Sequence, residues 1–179
     1  MKKIKVIGVA AAALLAVSPL LASSTIDAAV NYNGNSYSDN QTVNVGNASF
    51  AHVALNGQVD VAAIQRAFAT PNSSVSVNLS YIETSIAGTY PVPVTVTNDS
   101  NNSSTTVTIN VTVGDSNNVQ SIQGDPDSNA GVYQINGNKV EDSGITLPVG
   151  TPVSTYGTVE INGTSYTRLN SSNSNLVVK

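Results

Sequence analysis

Apolar and polar residues alternate over the stretch 86–113 more strictly than in any other part of the chain. The apolar positions are Tyr90, Val92, Val94 and Val96 in a first arm, and Val107, Ile109, Val111 and Val113 in a second. A period of two is that of a β-strand with one buried face. Residues 98–103 contain no apolar side chain and suit a solvated turn. The pattern predicts a long antiparallel hairpin.

Two prolines predict where this hairpin has a free edge. Pro91 and Pro93 stand two residues apart, so the amide hydrogens that they lack would point to the same side of the strand. A neighbouring strand cannot receive hydrogen bonds from that side. We therefore expect the start of the first arm to be an edge.

Further elements are predicted before the hairpin. Short strands are expected at 42–45 and at 75–81, the latter with Leu79 and Tyr81 on its apolar face. Residues 60–69 predict a helix, since Ile64 and Phe68 recur at helical spacing and Asp60 is a good N-cap. Together these elements predict an Ig-like β-sandwich domain with one short helix at 29–114.

The first 28 residues have the pattern of a secretory signal peptide. Basic residues precede an apolar stretch at 6–17, and small residues follow Pro19. We expect cleavage after Ala28, with 22–24 as a second candidate site. A transmembrane helix would need about 20 uninterrupted apolar residues, and Pro19 and Ser23 come too soon. No transmembrane segment is expected after cleavage.

Composition and charge exclude several classes of function. The chain has 179 residues, no Cys and no Trp, so thiol chemistry and the largest aromatic platform for sugars are both excluded. Removal of residues 1–28 leaves four basic and ten acidic residues, a net charge of −6. The basic residues are scattered, whereas contacts to phosphates need clustered Lys and Arg. No nucleic acid is expected as a partner.

Residues 115–130 form a polar, acidic segment that predicts a linker between two modules. Asp125, Asp127 and Asn129 have the spacing of the first ligands of a calcium loop. However, Gly131 falls one position late and Asn136 stands where a closing glutamate is needed. A solvated linker is therefore expected, and no metal site.

The segment 131–179 predicts a small SH3-like β-barrel of about five strands. Asn136-Gly137 and Asn162-Gly163 each lie between short β-prone runs, which is a strong signal for a hairpin turn. A turn at 147–150 leads into another strand. A module of this size has little core of its own.

These C-terminal motifs resemble a known family. The runs AGVYQINGNKV, LPVGTPVSTYG, INGTSYTRL and NLVVK are similar, in order and spacing, to the C-terminal repeat of lactobacillus surface-layer proteins, the SLAP domain. The leader, and the helix followed by the hairpin, also resemble the domain that precedes the repeats in that family. The resemblance touches most of the chain and implies a single SLAP-like module at 131–179.

The resemblance implies non-covalent attachment to the cell wall. In the family, lysines are implied to bind anionic wall polymers. Here Pro148, Val149, Thr164 and Ser165 stand at the family's lysine positions, and the module carries three basic and three acidic residues. The candidates for binding the wall polymer or a surface-layer lattice are Tyr133, Lys139, Tyr156, Tyr166, Arg168 and Lys179. For each tyrosine, packing within the small barrel is the alternative role.

An enzyme is the least expected class. The only histidine, His52, lies in the apolar run FAHVAL without a nucleophile or carboxylate at a recognisable spacing, and no glycine-rich phosphate loop is present. No catalytic residue and no cofactor is therefore expected. The sequence predicts a surface-layer-associated structural protein. The alternative, favoured by the charge pattern, is a freely secreted adhesin or interaction module that has lost wall anchoring.

Overall fold

The computed structural model describes residues 29–115 and 119–179, so the expected signal peptide lies outside the described residues. Over these described residues the chain forms one α-helix, α1 (Val61–Phe68), and a 3-10 turn at Ser49–Ala51. The strands before the linker are β1 (Val30–Tyr32), β2 (Asn35–Tyr37), β3 (Thr42–Val43), β4 (His52–Val53), β5 (Ser73–Val77), β6 (Gly88–Asn98) and β7 (Ser104–Val113). Those after it are β8 (Val119–Ser121), β9 (Asn129–Asn136), β10 (Lys139–Pro148), β11 (Pro152–Ile161), β12 (Thr164–Leu169) and β13 (Leu176–Val178). The predicted all-β class with one short helix is confirmed.

The predicted hairpin is the β6–β7 pair, whose register runs without a break from Gly88 opposite Val113 to Thr97 opposite Ser104. All eight apolar positions named above are buried. On the other face, hydroxyls pair across the strands, as between Thr95 and Thr106 at 2.8 Å. The alternation of side chains therefore separates a dry face from a wet one, as the sequence predicts.

The free edge predicted from the prolines is present beside Pro91 and Pro93, but it does not reach the start of β6, where β11 pairs with Gly88. The β5–β6 ladder ends with Val77 opposite Val94, and the last contact is a hydrogen bond from the Asn78 N–H to the Pro93 carbonyl at 2.9 Å. In an extended strand the N and the carbonyl of one residue point to the same side. The missing amide hydrogens of Pro91 and Pro93 therefore face the side on which β5 stops.

The strand predicted at 75–81 is wrong in its second half. β5 ends at Val77, and Tyr81 is 51% exposed. The side chain of Asn78 accepts a hydrogen bond from the Ser80 N–H at 2.9 Å, which turns the chain away from β6. A similar turn, in which Asn44 accepts from the Gly46 N–H at 3.0 Å, ends β3 two residues earlier than predicted.

Helix α1 packs its apolar side on the hairpin core. Asp60 caps the helix by accepting a hydrogen bond from the Ala63 N–H at 2.8 Å. Ile64 and Phe68 are fully buried, and the Phe68 ring stacks on Tyr32 with centroids 5.1 Å apart. Strands β3 and β4 run parallel to β7 and complete this part of the sheet.

The C-terminal strands follow one another in the order β10-β9-β13-β12-β11. The β11–β12 turn is Asn162-Gly163, as predicted, with both residues at positive φ. In the β9–β10 hairpin Asn136 pairs with Lys139, so the turn residues are Gly137 and Asn138, one position later than predicted. The predicted SH3-like barrel is not closed, because within the described residues β10 pairs only with β9.

The C-terminal sheet joins the hairpin at the start of β6. Val153 of β11 pairs with Gly88, and the Ser154 N–H donates to the Ala87 carbonyl at 2.7 Å. The Asn170 amide donates to the Ser85 carbonyl and accepts from the Ala87 N–H, each at 2.7 Å. We call these contacts the junction. They hold the two parts of the chain together with main-chain hydrogen bonds and with the hydrogen bonds of the Asn170 amide.

Part of the predicted linker belongs to this sheet. β8 pairs with β11 from Pro152 to Ser154, and Ile122 is buried. The expectation of a fully solvated connector is therefore wrong for Ile122, whereas 119–121 are exposed although they pair with β11. Asp125 and Asp127 are exposed in a turn before β9. The division of the chain into two domains remains a prediction.

The junction makes Gly88 intolerant of a side chain. A Cβ at Gly88 would lie 2.3 Å from the backbone oxygen of Pro152. We expect Gly88→Ala to lower the free energy of unfolding by about 1–3 kcal/mol. Gly131→Ala is the matched control, because a Cβ there meets only the Tyr133 side chain at 3.4 Å. Equal stability of the two variants in urea unfolding would contradict the close contact.

The buried Tyr90 should make the free energy of unfolding depend on pH in the alkaline range. Its hydroxyl donates to the Ile86 carbonyl at 2.8 Å, and burial, assisted by the nearby charge of Glu83, raises the pKa of Tyr90 above its ordinary value. The unfolded chain then loses this proton first, near pH 10. The free energy of unfolding should fall above about pH 10, by up to about 1.4 kcal/mol per pH unit. Urea unfolding at several pH values should give a shallower decline for Tyr90→Phe, and identical slopes would refute this role.

Candidate functional site

The six candidate residues lie on the C-terminal sheet. Tyr133 is in β9 and Lys139 begins β10, Tyr156 is in β11, Tyr166 and Arg168 are in β12, and Lys179 follows β13. The three tyrosines and Arg168 are half-buried, whereas the two lysines are exposed.

Tyr133 and Tyr166 are brought together by β13. Val177 of β13 pairs with Tyr133 on one side and with Arg168 on the other, so the three side chains share a face. Tyr166, two residues from Arg168, lies on the same face. Its ring meets that of Tyr133 edge-to-face, with centroids 6.3 Å apart and planes at 67°. This contact restrains the Tyr133 ring.

Arg168 has a role within the chain. Its Nη1 donates a hydrogen bond to the Ser174 carbonyl in the loop between β12 and β13. The Ser174 hydroxyl in turn accepts from the Leu176 N–H at 3.1 Å. Arg168 therefore orders the loop that starts β13, and a part of its hydrogen-bonding capacity is already used.

The two lysines lie at opposite ends of β9. Lys139 pairs with Asn136, beside the turn where the Asn162 amide reaches the Asn138 carbonyl at 3.2 Å. Lys179 lies near Gly131, and Gly131 is five residues from Asn136 along β9. At about 3.3 Å per residue, roughly 17 Å separates these positions. The structure does not assemble a cationic cluster from the predicted residues.

The structure does bring Tyr133 and Lys179 to one cleft. This cleft has a volume of about 260 Å³ and opens where β13 ends, between β8, the start of β9 and the strands β11 and β12. Gly131 forms its floor below the tyrosine, because a Cβ there would lie 3.4 Å from the ring Cζ and the hydroxyl oxygen. We call it the Tyr133 cleft. Its polar lining consists of Gln120, Ser121, Gln123, Tyr133, Thr155, Thr167 and Lys179.

Sequence reasoning missed the β8 side of this cleft. Gln120 and Gln123 fall in the segment predicted to be a linker, and the structure places both against β9 and β11. A weak signal was present, since Val119 and Ile122 are the only large apolar residues of 115–130. Thr155 and Thr167 carried no signal, because threonine is common throughout the chain.

The other residues considered for chemistry do not assemble into a site. His52 lies in β4 with an exposed side chain. Asp125 accepts a hydrogen bond from the Asp127 N–H at 3.2 Å within a local turn. In residues 29–115 and 119–179 there is no cluster of three or more His, Asp or Glu with metal-ligand geometry. In the same ranges, no helix has the length and apolar character to cross a bilayer.

Comparisons with known proteins add no family. Neither a scan against protein-family models nor a search of curated proteins found a match for this chain. The function is therefore argued from the Tyr133 cleft and from the charges around it.

Proposed function

We propose that the protein is a non-catalytic structural component of a bacterial cell surface. In this proposal it is attached non-covalently to the cell wall or to a surface-layer lattice through residues 131–179. The observation that supports it is the Tyr133 cleft, a concave surface that combines an aromatic ring with hydrogen-bonding side chains, all of them uncharged except Lys179. The lining includes neither a histidine nor a carboxylate side chain, so its chemistry suits binding better than acid–base catalysis.

Two features of the sequence agree with this role. The signal-peptide pattern of residues 1–28 is expected to direct the chain out of the cell. The order of motifs in 131–179 resembles the wall-anchoring repeat of lactobacillus surface-layer proteins. The acidic surface of the mature chain is complementary to a basic lattice, which is the second partner we consider.

The second candidate function is that of a freely secreted adhesin or interaction module. The observation that favours it is the distribution of cations. Lys139 and Lys179 lie at opposite ends of β9, and Arg168 is bound to the Ser174 carbonyl. Attachment by charge to a polyanion is poorly supported by this arrangement.

Extraction of cells that express the full chain separates the two functions. Attachment predicts that the protein remains with washed lactobacillus cells in buffer and is released by a concentrated chaotrope, because the contacts are non-covalent. A cytoplasmic marker protein serves as the control for lysis. Recovery of the protein only from the culture medium, with none released by the chaotrope, would reject attachment and support free secretion.

A further inference from the structure

The Tyr133 cleft has the chemistry of a binding site for uncharged sugars. We propose that it binds a neutral saccharide unit, such as a hexose or N-acetylhexosamine residue at the end or in a side branch of a surface polymer. This inference rests on the proposed function for the source of the ligand. It goes further in naming the ligand chemistry and in assigning the recognition to hydrogen bonds and ring contact instead of charge.

The charges around the cleft do not favour an anion. Lys179 supplies the single charged side chain of the lining. The nearest carboxylate across the β9–β10 pair, that of Asp142, accepts a hydrogen bond from the Gly144 N–H at 2.9 Å and is not part of the lining. A phosphate entering the cleft would therefore meet one exposed lysine, whereas contacts to phosphates need clustered Lys and Arg.

The polar side chains suit hydroxyl groups. Each glutamine amide offers both a donor and an acceptor, as a sugar hydroxyl does. The Gln123 amide nitrogen donates to the Ser121 carbonyl at 2.8 Å, and this bond holds the side chain in place beside the cleft. Gln120 adds a further hydrogen-bonding group from β8. Groups on separate strands can contact several hydroxyls of one ring.

The tyrosine provides a restrained apolar wall. The ring of Tyr133 is held by its edge-to-face contact with Tyr166 and by close approach to Gly131. An aromatic ring with a polar tip suits the mixed surface of a sugar, which has apolar C–H faces and a rim of hydroxyls. The chain has no Trp, so this wall is smaller than an indole would provide, and weak binding is expected.

The size of the cleft limits what enters it. Its volume of about 260 Å³ is below the range of about 300–1,000 Å³ that is usual for drug-sized ligands. A single sugar ring matches this space better than a folded chain of several rings. Any longer polymer would therefore contribute one unit to the cleft and extend away from it.

The first test titrates residues 29–179 with defined probes in a calorimeter. The neutral probes are chitotetraose and maltotetraose, and the anionic probe is poly(glycerol phosphate). We expect a neutral probe to bind with an affinity that changes by less than about twofold from about 0.1 to about 1 M salt, a range that screens charge interactions. Failure of both neutral probes, or binding of the anionic probe alone, would overturn the proposal.

Substitutions then locate the binding. Gly131→Val should fill the floor of the cleft, and Tyr133→Ala should remove its wall, so each should lower affinity for the bound saccharide at least about tenfold. Tyr81→Ala removes an exposed tyrosine elsewhere and is the matched control. Should Tyr133→Ala fail to fold, Gly131→Val and Gln123→Ala still test the site. If the cleft variants fold and still bind the saccharide with wild-type affinity, the proposed binding site would be wrong.

Lys179→Gln separates charge from hydrogen bonding. Glutamine keeps a donor but removes the positive charge. Any loss of affinity for the neutral probe should stay below about tenfold, because hydrogen bonds between uncharged groups do not need the positive charge of the lysine. A loss of tenfold or more would show that the lysine charge carries the binding, and the proposal would be wrong.

Wall binding distinguishes this inference from the proposed function. The wild-type protein should bind purified lactobacillus wall fragments, and Gly131→Val should not. If both proteins bound the walls equally, attachment would stand and the saccharide site would be rejected as its cause. If neither bound the walls while the wild-type protein still bound the neutral probe, the saccharide site would stand and wall attachment would be rejected.

Discussion

The burial of one face of the β6–β7 hairpin is the interaction on which the rest of the structure depends. Its eight apolar side chains are almost completely removed from solvent, and full burial of each such side chain contributes about 1.5–3 kcal/mol. The other elements of this part of the chain pair with the hairpin or pack on its core. Without Cys there is no disulfide to replace this burial. A defect in the hairpin should therefore affect every other element.

The Tyr133 cleft depends on the same hairpin through the junction. Strand β11 makes main-chain contacts with Ala87 and Gly88 at the start of β6, and β8 pairs with β11. Gln120 and Gln123 reach the cleft only because β8 is held there. The cleft is thus assembled from segments on both sides of the predicted linker, and its shape is coupled to the stability of the hairpin core.

Features that depend on local sequence were predicted well. The period of two placed β6 and β7, the N-cap Asp60 placed α1, and Asn162-Gly163 placed one hairpin turn. The errors occur where a competing local hydrogen bond or a distant partner decides the outcome. The side chain of Asn78 ended β5, and the open order of the C-terminal strands was set by pairing between residues far apart in sequence.

The candidate site was predicted less completely than the fold. The resemblance directed attention to Tyr133 and Lys179, which the structure places in one cleft, but also to Lys139 and Arg168, which it places elsewhere. Gln120 and Gln123 could not be predicted, because a polar residue in a polar segment has no pattern that distinguishes it. Their position depends on β8, a strand of three residues that exists only through pairing with β11.

Native-state amide hydrogen exchange on residues 29–179 tests the central claim, that the hairpin and the C-terminal sheet are stabilised together. The Ser154 amide, bonded to the Ala87 carbonyl, and the core amides of β7 should exchange with the same opening free energy, because both require global unfolding. A Ser154 amide that opened at a free energy lower by about 2 kcal/mol or more, while β7 stayed protected, would show an independent C-terminal sheet and contradict the account.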